Sequence, residues 1–299
     1  MSGEEKAGAT KARVSSPLPS AFLLSPSTRR RVVNTLTTTA TAACAFLGVA
    51  VLLLILGYIA WQGVSSLSVE FLIDTPKPVG EGGGIGNAIL GTLILLALAS
   101  VIGLPLGIAA GVYLSEFGRG WFAGIVRFVA DTLTGVPSIV TGVFVYTLIV
   151  IPMRQFSALA GGVALGIIMI PIVTRTTEEM LRLVPTSLRE GALALGAPQW
   201  RVTTGVVLPA AASGIATGAM LAVARVSGET APLLFTAFGS RFFNVYLDQP
   251  VASLTVQIFN YAVSPYDEWH AQAWAATLVL MTLILVINVT VRLLTRRRF

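Results

Sequence analysis

Charged residues divide the chain into long apolar stretches. Six stretches lack Lys, Arg, Asp and Glu, and their interiors are rich in Leu, Ile, Val, Ala and Gly. A helix needs about 20 apolar residues to cross a hydrocarbon core of roughly 30 Å, and a charge near its centre is costly. We therefore predict an all-α membrane protein with six transmembrane helices, near residues 35–61, 87–113, 132–151, 156–175, 206–228 and 271–292.

A further uncharged stretch, residues 249–266, does not have the composition of a span. It contains Gln249, Gln257, Asn260 and two prolines. Amide side chains and proline are poorly suited to a lipid-exposed helix. We predict an interfacial or re-entrant segment here.

The distribution of basic residues orients the six spans. With the amino terminus inside, the inner loops and both termini hold sixteen Lys and Arg, whereas the outer loops hold three against six carboxylates. Cytoplasmic loops of membrane proteins carry an excess of Lys and Arg. Both termini are therefore predicted to be cytoplasmic, since a seventh span would place the C-terminal arginines outside.

The first 31 residues differ from the rest of the chain. They contain Ser, Pro, Thr and charges with little hydrophobic periodicity. Such a composition cannot bury enough apolar surface to offset the entropy of ordering. We interpret residues 1–31 as a disordered cytoplasmic tail and residues 32–299 as the six-span domain.

Composition excludes several kinds of chemistry. Charged residues make up 11% of the chain, against about 25% in soluble proteins. The single histidine, His270, and the single cysteine, Cys44, argue against a multi-ligand zinc or iron site. The phosphate-binding pattern G-x-x-x-x-G-K-[ST] is absent. We expect no catalytic residue, metal site or cofactor in this chain, and no ATP hydrolysis by it.

The long loop between spans four and five has the pattern of a short helix. Ser187 followed by Glu190 matches a capping box, in which the side chains satisfy the free amides of a helix start. Leu188, Ala192 and Leu195 then fall on one face. The sequence therefore predicts an ordered helix with one apolar stripe.

The end of this short helix is also marked. Gly196 fits the left-handed position after a helix, and Pro198 prevents its continuation. A second short helix through Trp200 is expected to lead into span five. A short surface helix can dock into a groove on a partner protein. The alternative is a loop that only joins two spans.

Two arginine–glutamate pairs are candidates for the path of an anionic substrate. Arg175 and Glu178 lie three residues apart near the cytoplasmic end of span four, and Arg225 and Glu229 lie four apart toward the outer end of span five. A guanidinium presents several fixed donors and stays charged, which suits an oxyanion. The alternatives are a structural ion pair at the outer interface and, for Arg175, an ordinary positive-inside residue.

Asp131 is the other acidic residue close to a predicted span. It precedes Thr132, Gly135 and Pro137, so we expect it to cap or kink the start of span three rather than to bind an ion. Few acids inside the spans argue against an ion-coupled carrier that needs no ATP. An intramembrane enzyme would need Ser, Asp or His chemistry inside the spans, which this pattern does not supply.

The loop pattern resembles that of a known family. A loop of bacterial ABC-importer permeases has the pattern E-A-A-x3-G-x9-I-x-L-P. The loop here resembles it, with Glu190-Gly191-Ala192, three residues, Gly196, nine residues and then Val206-x-Leu208-Pro209. Gly191 and Val206 are mild departures from that pattern. The resemblance implies that loop 176–205 is a coupling loop whose residues 186–200 dock into a separate ATPase. The implied coupling residues are Ser187, Glu190, Gly191, Ala192, Gly196, Trp200, Leu208 and Pro209.

Three further segments, residues 135–142, 175–185 and 225–239, resemble the phosphate-specific permeases of that family. The resemblance implies import of inorganic phosphate by alternating access across the bacterial inner membrane. It also implies four partners, namely a homologous PstC-like permease, a PstB-like ATPase dimer that binds ATP and Mg, a PstS-like external phosphate-binding protein, and membrane lipids, but no nucleic acid. Sulfate, molybdate and phosphonate remain alternative substrates, and an ATP-independent carrier remains an alternative mechanism.

Overall fold

The computed structural model describes residues 26–296, with side chains from residue 28 to residue 293. The chain divides into two compact units, Met1–Leu56 and Gly57–Phe299, and helix α1 (Pro26–Val64) crosses the division. The described part of the first unit is a continuous segment of α1. The only β structure within residues 26–296 is an isolated bridge between Pro76 and Gly83.

The second unit contains ten further helices. They are α2 (Val69–Ile73), α3 (Gly86–Phe117), α4 (Gly120–Gly135), α5 (Ser138–Met153), α6 (Ala158–Arg182), α7 (Thr186–Ala194), α8 (Gln199–Ser227), α9 (Ala231–Thr236), α10 (Leu254–Ala262) and α11 (Asp267–Arg296). Helices α3, α5 and α8 each contain one π-helical turn, at Tyr113–Phe117, Tyr146–Val150 and Thr203–Val207.

Five described helices are long and apolar enough to cross a membrane, namely α1, α3, α6, α8 and α11. Helices α4 and α5 together meet the same test, but they are bent by 103° and make a sixth crossing only if they count as one span. The prediction of an all-α membrane protein is confirmed, and the six predicted spans are matched if α4 and α5 together count as the sixth. The sides on which the termini lie stay a prediction.

Two predicted boundaries are wrong. The expected third helix, 132–151, is broken because Pro137 restricts Val136 to an extended conformation, with ψ of 130°. The tail expected over residues 1–31 is helical from Pro26 onward, and proline suits a first helical position because its missing N–H is not needed there. Residues 1–25 lie outside the described part of the chain.

The segment 249–266 does not cross the membrane. Its helix α10 has nine residues, too few for a span. The backbone N–H of Leu254, at the start of α10, donates to Thr92 Oγ1 of α3 at 2.9 Å. The segment is therefore anchored against the first turns of α3, and its interfacial or re-entrant position stays a prediction.

Close packing of α3 on α6 forms the centre of the second unit. Most of α6 is buried, since 61% of the residues in its apolar stretch are buried. Gly103, Gly107 and Gly111 lie on one face of α3, and a Cβ added at Gly107 would meet Val173 Cβ at 2.6 Å. Small residues every four positions allow helix backbones to approach closely in membranes, where van der Waals packing replaces the hydrophobic driving force.

We predict that Gly107→Ile destabilises the second unit by about 3 kcal/mol, because overpacking a tight helix contact displaces α3 from α6. The matched control is Gly124→Ile, since a Cβ at Gly124 of α4 meets no atom within 4 Å. The measurement is the free energy of unfolding of the full chain in detergent. Equal stability of the two variants would contradict the packing described for α3 and α6.

Candidate functional site

A buried carboxylate at the end of α6 holds three arginines. Glu178 is 1% exposed, and its Oε1 accepts hydrogen bonds from Arg127 Nε at 2.7 Å and Arg182 Nη2 at 2.6 Å. Its Oε2 accepts one from Arg175 Nη1 at 2.8 Å. The predicted pair of Arg175 and Glu178 is therefore present as part of a larger cluster. We call these four residues, with Asp131, the Glu178 cluster.

Asp131 has a different role from the one expected. It lies inside α4 rather than at a helix start, and its two carboxylate oxygens accept from Nε and Nη2 of Arg175, each at 2.6 Å. The bend follows four residues later because proline, rather than the aspartate, interrupts the helix. A bidentate pair fixes the orientation of the guanidinium. Asp131 thus positions Arg175 across the gap between α4 and α6.

Three residues of the cluster, Arg127, Asp131 and Arg182, were not among the predicted site residues. Arg182 lies four residues after Glu178, a spacing that could have revealed it. Arg127 is 51 positions away in sequence, and its Nη2 also donates to the Leu114 carbonyl at 2.9 Å. No local pattern predicts such a contact. The cluster holds three positive charges and two negative ones, so it keeps an excess positive charge that can attract an anion.

Arg225 and Glu229 form the second predicted pair, with an ion pair between Nη1 and Oε1. They do not share a helical face, because α8 ends at Ser227 and Glu229 lies beyond it. The Glu229 carbonyl accepts from Thr255 Oγ1 at 3.0 Å, which fixes the broken segment against α10. Gly228 and Pro232 flank this break between α8 and α9, and such Gly and Pro interruptions are common in the broken helices of transport sites.

Arg225 lines a cavity of about 90 Å³ together with Ile167, Ile168 and Ile172, which belong to the middle third of α6. Thr134, Ser138 and Thr141, from both sides of the bend between α4 and α5, add hydroxyl groups to the cavity.

The proposed start of the coupling helix needs correction. Pro185, not Ser187, is the N-cap residue of α7, with φ of −57° and ψ of 139°, and no side chain caps the helix. Ser187 is the second residue of the helix and cannot form the capping box with Glu190. The proline fixes the chain direction before the helix and thereby shifts its start by two residues.

The end of α7 is as predicted. Gly196 has φ of +81°, and its N–H donates to the Leu193 carbonyl at 2.9 Å. Ala197 N–H donates to the Ala192 carbonyl at 3.4 Å, which completes a Schellman motif. Only glycine adopts this left-handed conformation at little cost. The chain then turns into α8, whose first turn contains Trp200 and whose π turn precedes Leu208 and Pro209.

The predicted apolar stripe of α7 is partly exposed. Leu188 and Leu195 are exposed, Leu195 to 89%, whereas Ala192 is partly buried and packs against the core formed by α6 and the start of α8. Leu193, Glu190, Gly191 and Trp200 are exposed as well. The exposed residues form an open, partly apolar surface. Exposed apolar patches with polar surroundings are typical of protein interaction sites.

Arg189 connects this surface to the spans, and the sequence pattern did not reveal it. Its Nη2 donates to Glu116 Oε1 at 2.8 Å and to the Leu181 carbonyl at 2.7 Å, and its Nη1 donates to the Val184 carbonyl at 2.6 Å. Gln199 Nε2 donates to the Glu116 carbonyl at 2.8 Å. These bonds join α7, the end of α3 and the start of α8. Glu116 is 73 positions from Arg189, which explains why spacing could not predict the pair.

The arrangement offers hydrogen-bond donors of the kind that suits an anion. Within residues 26–296, no group of three or more His, Cys, Asp or Glu is placed to hold a metal ion. The Glu178 cluster and the Arg225 cavity instead offer guanidinium and hydroxyl donors near the end and the middle of α6. Charged side chains within membrane-spanning segments usually face a partner or a water-filled path.

Comparisons with known proteins agree with this architecture. Residues 103–299 match the family described as binding-protein-dependent transport system inner membrane component. The phosphate transport system permease protein PstA of Yersinia pestis is 46% identical over 89% of this chain and 90% of its own length. PstA of Haemophilus influenzae is 47% identical over 78% and 83%, and PstA 1 of Mycobacterium tuberculosis (strain CDC 1551 / Oshkosh) is 40% identical over 72% and 73%.

Solved structures share the fold. An ABC transporter involved in the import of the polysaccharide alginate aligns with a TM-score of 0.60 and 14% identity, over 89% of this chain and 99% of that chain. The methionine ABC transporter MetNI, in an inward-facing conformation, aligns with a TM-score of 0.57 and 20% identity, over 72% and 94%. The chain is a multi-pass membrane protein and belongs to the binding-protein-dependent transport permeases and, within them, to the PstA family.

Proposed function

We propose that this chain is a transmembrane permease subunit of an ATP-driven importer that moves inorganic phosphate into the cytoplasm. The observation that carries the proposal is Arg225, which lines a hydroxyl-containing cavity beside the middle of α6. Its side chain is 61% exposed in the isolated chain. An arginine exposed to lipid is costly, so we assign it to a substrate path shared with a second permease. The names of the PstA relatives support phosphate as the substrate.

The proposed assembly contains three kinds of partner protein. A homologous permease completes the path, an ATP-binding subunit dimer supplies energy, and an extracytoplasmic phosphate-binding protein delivers the anion. We place the assembly in the bacterial inner membrane. ATP and Mg are bound by the ATPase and not by this chain, whose sequence lacks the phosphate-binding loop.

The exposed surface of α7, with Trp200, is the proposed ATPase contact. When the ATPase dimer closes, it moves α7, and Arg189 carries that motion to α3 and α8. Helix α8 runs without interruption from Gln199 to Ser227, so a tilt at its first turn also moves Arg225 at its other end. Alternating access then means that the substrate path opens first at the Arg225 cavity and afterwards at the Glu178 cluster. Glu178 and Glu229 hold the arginines and limit how tightly they retain phosphate.

Uptake of labelled phosphate into a strain that lacks this chain tests the proposal, with and without its restoration and with sulfate and molybdate as competitors. We expect restored, ATP-dependent uptake that only phosphate competes. Restored uptake of another oxyanion would show that this oxyanion, and not phosphate, is the substrate. Uptake that persists without the ATPase would indicate an ATP-independent carrier.

Arg225→Gln should reduce phosphate uptake by about tenfold or more, since one charge-assisted hydrogen bond to an oxyanion is lost. The matched control is Arg154→Gln, because Arg154 is an exposed loop residue outside the cavity. Both variants should reach wild-type levels in the membrane. Wild-type uptake by Arg225→Gln at equal expression would remove Arg225 from the substrate path.

Gly196→Val should uncouple ATP hydrolysis from uptake, because a β-branched residue does not tolerate φ of +81° and α7 would lose its end. Gly124→Val is the control, since Gly124 lies in α4 outside the coupling loop and a Cβ there meets no atom within 4 Å. The readout is phosphate imported per ATP hydrolysed in proteoliposomes. A normal ratio in Gly196→Val would show that coupling does not depend on this turn.

A further inference from the structure

A second cavity lies outside the site described above, next to the loops predicted to face the outside. Its volume is about 670 Å³, and it is enclosed by the loop at Lys77, the turn at Ser240 and Arg241, and helices α9 and α10. Its walls are fixed by long-range hydrogen bonds. Gly80 N–H donates to Glu268 Oε2 at 2.7 Å, and Asn87 Nδ2 donates to the Ser240 carbonyl at 2.6 Å.

The cavity is positively charged. Lys77 and Arg241 line it, and no carboxylate among the described residues does. The acidic residues of the neighbouring loops line an adjacent cavity, which contains Glu70, Asp74, Glu81 and Glu268, and Lys77 lines both cavities. Lys77 Nζ donates to Asp74 Oδ2 at 2.8 Å, and this hydrogen bond raises the pKa of Lys77, so its ammonium stays charged. Arg241 has no ion pair within the described part of the chain.

The wall of the cavity also contains neutral hydrogen-bond donors. The amide side chains of Gln257 and Asn260 line it. Tyr261 and Trp269 line it as well, but the Tyr261 hydroxyl and the Trp269 indole N–H are buried in the wall. Amide N–H groups can donate to an oxyanion.

The cavity lies one layer of residues from the Arg225 pair. Leu234 of α9 and Val256 of α10 line its inner side. The residue next to Val256, Thr255, donates to the Glu229 carbonyl at 3.0 Å. An anion in the cavity is therefore separated from the pair of Glu229 and Arg225 by the broken segment between α8 and α9.

We propose that this cavity is a second oxyanion site, where inorganic phosphate is held at the outer face before it passes to Arg225. The inference rests on the proposed function and adds a step to it. The recognising chemistry is that of a phosphate group, held by Arg241 and Lys77. A phospholipid headgroup carries the same group, so the test must separate the two sources.

The test uses the full chain in nanodiscs made of galactolipid, which contains no phosphorus, and follows the ³¹P line width of added inorganic phosphate. The chain carries Arg225→Gln to remove the inner site. We expect line broadening that Arg241→Gln weakens by at least about tenfold in apparent affinity, the effect of losing a charge-assisted hydrogen bond. The control Arg154→Gln, which changes an exposed arginine outside the cavity, should leave the broadening unchanged.

Broadening that is absent, or that Arg241→Gln does not change, would overturn the proposal. Broadening that disappears when the nanodiscs are made of phospholipid would assign the cavity to a lipid headgroup and would also overturn it. Uptake by the wild-type importer separates this inference from the proposed function. Phosphate uptake without broadening rejects the outer site alone, whereas absent phosphate uptake rejects the function itself.

Discussion

The Glu178 carboxylate imposes the constraint on which the rest of the site depends. A buried charge is strongly unfavourable unless other charges and hydrogen bonds compensate it. Arg127, Arg175 and Arg182 provide that compensation, and they come from two different helices. The pairing therefore holds α4 against α6 at one end of the spans. Arg127 extends the connection to α3 through the Leu114 carbonyl.

This constraint links the coupling surface to the proposed substrate path. Arg189 and Glu116 join α7 to the end of α3, close to the carbonyl that Arg127 binds. The glycine face of α3 then packs on α6 without room for adjustment. A displacement of α7 is consequently shared by α3, α6 and α8 rather than absorbed locally. Packed interfaces of this kind change between discrete arrangements, as alternating access requires.

Sequence patterns predict a helix well where a single physical requirement determines its length or its end. The thickness of the bilayer sets the length of an uncharged stretch, so five spans are found near their predicted positions. The left-handed turn at Gly196 is likewise a local property. Local patterns fail where two signals compete, as when Pro185 takes the cap position expected for Ser187 and Pro137 breaks span three.

Contacts between distant residues could not be predicted from one sequence. Arg127 with Glu178, Asp131 with Arg175 and Glu116 with Arg189 join positions 44 to 73 residues apart. The cavity beside Arg225 also depends on tertiary structure, because α4, α5 and α6 supply its other lining residues. The candidate residues were therefore predicted more reliably than their partners.

The most direct test is the amount of phosphate imported per ATP hydrolysed when Glu178 is replaced by Gln in the assembled importer. Removing the charge leaves three arginines without their shared partner, so we predict that the ratio falls by about an order of magnitude or more. Glu179→Gln, which changes the exposed neighbouring carboxylate, should keep the wild-type ratio. A wild-type ratio in Glu178→Gln would contradict the view that this buried carboxylate holds the transport path and the coupling surface together.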